Sequence, residues 1–148
     1  MYDDVISPAL HEFASFSFED ICKEFVKELQ KKNALPFRYS QMGRWTGKTT
    51  IRDKDAENGL RIAETEIDLL GISRGEKKYF VGECKFKKAP FDYSEYLDTK
   101  AKLTPLKDSA EFYYALFSEN GFDKLVILEA EQEKNLELYD LNQIVNFK

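Results

Sequence analysis

Two short runs, Glu64 to Leu69 and Tyr79 to Phe86, alternate polar and apolar residues as half-buried strands do, yet each carries charges in the middle of its pattern. Side chains alternate along a strand, so Glu64, Glu66 and Asp68 are expected on one face, with Ile67 and Leu69 on the other. In the second run Glu83 and Lys85 share a face with Val81, and Phe80, Cys84 and Phe86 point the opposite way. If the two strands are neighbours in register, Asp68 and Glu83 make an oxygen-rich pocket for a hard divalent cation, with the ammonium of Lys85 beside it.

The rest of the chain is expected to build a sheet around those runs. A helix is predicted from about Phe18 to Lys32, with Phe18, Ile21, Cys22, Phe25, Val26 and Leu29 on one stripe. Ser17 is its expected N-cap, with Asp20 in a capping-box position and Phe16 stapling to Ile21; Asn33 and Pro36 stop it. Glu19 falls at the edge of the stripe, where a carboxylate reaches a neighbouring site. Phe37 to about Trp45 reads as a strand and Thr46 to Leu60 as a long turn or loop. Strands at about 62–72 and 78–86 form a hairpin around Arg74-Gly75-Glu76. There follow a helix over Tyr93 to Leu106, a buried strand over Phe112 to Phe117, a helix from Gly121 to about Gln132, a strand over Leu136 to Tyr139 and a last helical turn over Leu141 to Val145. The order α-β-β-β-α-β-α-β points to a mixed sheet flanked by helices.

A length of 148 residues fits one domain, taken as residues 1–148, with a core large enough to fold without metal or disulfide. No apolar run approaches the roughly 20 residues that span a bilayer, and Met1 to Val5 lacks the features of a secretory signal, so the expected location is the cytoplasm. Cys22 and Cys84 read as small buried hydrophobes. The single histidine, His11, excludes most zinc and Ser-His chemistry. A net charge of −5 argues mildly against nucleic acid. Its distribution argues the other way, because residues 38–54 carry five basic groups against one acid and residues 74–88 six against two, whereas residues 108–148 hold nine acids and three lysines. Ordinary solvated charge at strand ends explains the same pattern. The basic residues nearest the acids, Arg44, Lys48, Lys87 and Lys88, are the nucleic-acid candidates. Trp45 is either a core anchor or a base-stacking residue. Gly43 to Thr49 is not a phosphate-binding loop, since three residues and not four separate its glycines. Phe112-Tyr113-Tyr114 reads as core. No exposed apolar face is apparent.

Asp68, fourteen residues, then Glu83-x-Lys85 is the order and spacing of the PD-(D/E)xK nuclease site. Further marks are Phe18-Glu19, Gly43-Arg44-Trp45, Glu66-Ile67-Asp68, Gly82-Glu83-Cys84-Lys85, Leu116-Phe117-Ser118 with Gly121-Phe122, and Leu138-Tyr139-Asp140-Leu141. Through these the chain resembles, over nearly its whole length, the restriction-endonuclease-like domain of unknown function at the C-terminal end of archaeal AAA-type ATPases. It departs in having Ile67 where the superfamily has proline, and Thr46 where a second tryptophan follows the first. The resemblance implies an α/β, restriction-endonuclease-like fold, and a fragment or stand-alone version of a longer ATPase chain. It also implies a DNA-cleaving site in which Asp68 and Glu83 hold Mg2+ or Mn2+, Lys85 is the catalytic lysine, and Glu19 and Glu66 are further acids. The Cys84 carbonyl is one more donor. DNA, branched or single-stranded, an ATPase domain and a second copy of the chain are the implied partners. Three other readings stand beside it: a salt-bridge network on a solvated sheet face, a catalytically silent DNA- or protein-binding regulatory module, and a toxin- or antitoxin-like interaction protein.

Overall fold

The computed structural model describes residues 8–73, 77–103 and 110–146, with side chains described outside 8–17 and 49–52. The elements run α1 (Pro8–Lys31), β1 (Gln41–Arg52), β2 (Leu60–Ile72), β3 (Lys78–Lys85), α2 (Tyr93–Ala101), β4 (Glu111–Ser118), α3 (Lys124–Gln132), β5 (Leu136–Asp140) and α4 (Leu141–Val145). One five-stranded sheet has the order β1-β2-β3-β4-β5. Its first three strands are antiparallel neighbours, and β3, β4 and β5 run parallel. Parallel neighbours need a crossover connection, and α2 and α3 lie within those connections. The result is the mixed α/β sheet flanked by helices, in the expected order, that a restriction-endonuclease-like fold requires.

Two apolar layers enclose the sheet. On one face Phe18, Cys22, Phe25, Val26 and Leu29 of α1 and Ile144 of α4 pack with Leu69, Phe80, Tyr113, Ala115 and Phe117. On the other, Tyr96 and Leu103 from α2 and its C-terminal end join Val126 of α3 against Ile67, Leu70, Val81, Tyr114 and Leu116. Tyr113 and Tyr114 are buried in opposite layers, so the aromatic run of β4 is core, as its composition suggests. Cys22 and Cys84 are free thiols in the α1 layer. Hydrogen bonding to the Cys22 thiol, then burial, pushes the Cys84 thiol well up, which removes it from nucleophilic chemistry.

Several boundaries differ from expectation. Helix α1 begins at Pro8, ten residues before Phe18, and proline suits the first helical turn because its missing N–H is not needed there. Ser17 therefore lies inside the helix; its side chain and that of Phe16 fall outside the described residues. Ile21 is 40% exposed and off the buried stripe. The end is as expected: Asn33 takes a left-handed φ of 56°, and the Ala34 N–H reaches the Leu29 carbonyl at 2.8 Å while the Asn33 N–H reaches Gln30 at 3.0 Å. This is the paired closure by which helices satisfy their last carbonyls. The hairpin turn at residues 74–76 lies outside the described residues; the second helix, expected to reach Leu106, stops at Ala101 with Lys102 as its C-cap, and residues 104–106 lie outside the described residues. Helix α3 exposes Leu125, Ile127 and Leu128, an apolar surface that the sequence pattern did not reveal.

The largest difference is in β1. Thr46 to Arg52, expected as loop, continues the strand and pairs with β2 as far as Arg52 opposite Leu60. The turn between them closes through the Asp53 N–H on the Gly59 carbonyl and the Asp53–Arg61 ion pair at 2.9 Å. Gly47 is explained by Trp45 two residues before it on the same face. A Cβ at Gly47 would collide with the indole ring, which packs on the α2 side of the sheet. Gly47→Ala is therefore expected to lower stability by about 1–3 kcal/mol through displacement of that ring, read as a lower denaturant midpoint with unchanged slope.

Candidate active site

The site is created by an irregularity in β2. Gly43 pairs with Leu70 and Trp45 with Ile67, so β2 spends three residues where β1 spends two. Asp68 and Leu69 together face Arg44, the arrangement of a β-bulge. Its consequence is visible in the packing, because Ile67 enters the α2-side layer and Leu69 the α1-side layer. The expectation that these two share a face is thus corrected. The ladder between β2 and β3 begins at Leu69 opposite Gly82, which leaves Asp68 just outside it, where the strands fork.

At the fork the Cys84 N–H has no ladder partner and donates to Asp68 Oδ2 at 2.9 Å. A buried backbone donor must be satisfied, so the carboxylate substitutes for the missing strand. Beyond Asp68 on one side, Arg44 Nη2 lies 3.1 Å from Glu66, 3.7 Å from Glu19 and 3.8 Å from Asp68. Burial, then the charge of Asp68, raises the Glu19 pKa, and Arg44 partly offsets this. On the other side Glu83, only 2% exposed, is held by Lys102 Nζ at 3.3 Å. Burial and then the Asp68 charge push the Glu83 carboxyl up to about 7, against the opposing pull of Lys102 and Lys85. Asp68 is thus felt by both acids.

The expected residues are partly gathered. Glu19, Glu66 and Asp68 meet around Arg44, while Glu83 and Lys85 face α2, where Lys85 Nζ lies 3.7 Å from Glu95 and Lys87 Nζ 2.7 Å from the same carboxylate. Arg44 and Lys87, taken as nucleic-acid contacts, are engaged with acids. Trp45 is half-buried on the core, the anchor alternative. Lys48 stands exposed opposite Glu64, and Lys88 is exposed. Three groups were missed. Glu95 and Lys102 belong to a helix whose charges look solvated until α2 is laid over β3. Ser118, in register with Lys85, is buried, and its hydroxyl has no hydrogen-bond partner among the described residues.

Among the described residues no three His, Cys, Asp or Glu side chains are grouped so that they could hold a metal ion, the three acids around Arg44 included. Magnesium needs only one or two carboxylates, with water completing its shell. Asp68 lies near enough for its charge to add to the effect of burial on Glu83, and two carboxylates are donors of the kind such an ion takes. No helix among the described residues is long and apolar enough to cross a membrane.

A bulged acid at the fork of the mixed sheet is followed by Glu-x-Lys on the next strand, in an order of elements that accords with a restriction-endonuclease-like fold. The chain belongs to the family DUF234, archaeal and bacterial proteins of unknown function, which matches residues 1–102. It is 30% identical over 135 residues to an uncharacterized protein of Methanocaldococcus jannaschii, covering 88% of this chain and 26% of that protein. The chain therefore spans about a quarter of that relative's length. A repair endonuclease from Pyrococcus abyssi is similar at a TM-score of 0.36 and 19% identity, over 64% of this chain and 38% of that one.

Proposed function

We propose that this is a metal-dependent nuclease-like domain of the cytoplasm that hydrolyses DNA phosphodiesters, with Asp68 and Glu83 as ligands of Mg2+ or Mn2+, Lys85 as catalytic lysine, and Glu19 and Glu66 as assisting acids. The supporting observation is the fork itself, where Asp68 accepts from the backbone of the strand that carries Glu83 and Lys85, and where burial, with the Asp68 charge added, raises the Glu83 carboxyl. A cation bound there would relieve phosphoryl charge and make a water more acidic. The chain's own parts in the reaction are separate. Asp68 keeps the β3 backbone fixed through Cys84. Lys85 places positive charge where the phosphoryl oxygens develop theirs, or takes the proton of the attacking water. Exposed Lys48 and Lys88 supply contacts to the DNA backbone. Attachment to an AAA-type ATPase and pairing of two copies extend the same proposal.

One observation favours a second reading, a silent DNA- or protein-binding module. Asp68 and Arg44, Glu83 and Lys102, and Lys85 and Glu95 already match one another's charge. The two part on one assay, in which purified protein is incubated with branched, single-stranded and duplex DNA with Mg2+ or Mn2+. Cleavage that stops with a chelator is expected of the nuclease; retention of DNA without cutting at any metal concentration would establish the silent module instead.

A further inference from the structure

We infer that Glu95 is the positioning residue of Lys85. Its geometry stands on contacts alone, and its catalytic meaning rests on the nuclease reading above. Strand β3 supplies Glu83 and Lys85 two positions apart, and therefore on one side, and Lys87 follows just past its end. Helix α2 supplies Glu95 in its first turn and Lys102 at its C-cap. Seven residues are close to two helical turns, so these two lie on one stripe. The helix thus lays an acid and a base over a motif of a base and an acid, giving an alternating row Lys102, Glu83, Lys85, Glu95, Lys87 with contacts of 3.3 Å at one end and 3.7 and 2.7 Å at the other.

What singles out Glu95 is how its carboxylate is aimed. Oε1 accepts from Lys87 Nζ at 2.7 Å and from the Asp92 N–H at 3.0 Å. The Asp92 carboxylate in return accepts from the Glu95 N–H at 2.9 Å, which closes a capping box. One turn on, buried Thr99 donates to the Glu95 carbonyl at 3.0 Å. With Oε1 occupied and the backbone pinned at both ends of that turn, Oε2 is the oxygen that meets Lys85. A flexible four-carbon side chain is thereby held by a carboxylate whose own orientation is set by the start of a helix. Positioning a reacting group in this way is a recognised source of rate.

The test uses the whole chain with Glu95→Gln. Glutamine serves in a capping box, so the helix start and the unfolding temperature should hold to within about 3 °C. The charge facing Lys85 is lost. The NMR order parameter of the Lys85 ammonium is expected to fall towards that of exposed Lys124, while Mn2+ affinity stays within about twofold. In the cleavage assay kcat should drop by roughly tenfold to a hundredfold with KM unchanged. Glu95→Asp, which keeps the charge on a shorter stem, should recover part of both. An unchanged Lys85 order parameter in Glu95→Gln would overturn the inference, as would a loss carried wholly by KM or by metal affinity. If wild-type protein cuts no DNA the nuclease reading falls, and the order parameter alone still decides whether Glu95 holds Lys85.

Discussion

Glu83→Gln is expected to make the domain more stable than wild type at pH 8, by up to roughly 3 kcal/mol, the value of a displacement from 4.5 to about 7. The sign follows from where the proton binds. Folding buries the Glu83 carboxyl and sets it near Asp68, so the folded state holds its proton more tightly than the unfolded chain does. That contribution is fully present below about pH 4.5 and is lost as the pH rises through about 7. Above this window the wild type carries a buried carboxylate that Lys102 compensates only in part. Glutamine keeps the shape and removes the charge, and Lys102, its side chain 26% exposed, can be hydrated when its partner is gone. Denaturant unfolding at pH 5 and pH 8 should show a fall in stability for wild type and a flatter profile for the variant. Equal pH slopes would place the Glu83 charge in a far better solvated setting. Stability given up at a cluster of acids is characteristic of a site shaped for a ligand.

The other large effect is on cleavage. Asp68→Asn and Lys85→Ala should each reduce Mg2+-dependent cutting by at least roughly a hundredfold to a thousandfold, the loss expected when one group that stabilises transition-state charge is removed. Asparagine is preferred at 68 because its carbonyl oxygen still accepts from the Cys84 N–H. Asp68→Ala would also orphan that donor, at a cost of about 1–3 kcal/mol, and so confound activity with stability. Initial rates on a branched substrate, with each variant checked for an unchanged unfolding profile, are the measurement. Cutting that survives both substitutions would remove the active-site assignment.

Much of this arrangement could be read from the residues, and the parts that could not have identifiable causes. The alternation along β3 places Phe80 and Cys84 on one side and Val81 on the other as expected, because a strand in the middle of a sheet is pinned by neighbours on both sides. Near Asp68 alternation fails, since a bulge adds a residue without leaving a mark in the polar and apolar pattern. The sequence pattern ends β1 too early because Gly47 and the polar residues around it look like a turn. Gly47 is there to admit the Trp45 ring, and Thr49, Thr50 and Ile51 are themselves good strand formers. The acids Glu19, Glu66 and Asp68 were recognisable by type. That Arg44 gathers them depends on pairing across the sheet, which sequence spacing does not contain. Glu95 and Lys102 were invisible for the same reason, since on an isolated helix they are two ordinary surface charges.

Whether Asp68 and Glu83 share one cation can be asked directly by soaking crystals in Mn2+ and recording anomalous scattering. A peak within coordinating distance of both carboxylates is expected, with the Lys102 ammonium moved off Glu83. A Mn2+ peak elsewhere on the molecule, with the Lys102–Glu83 pair intact, would contradict the metal-dependent site.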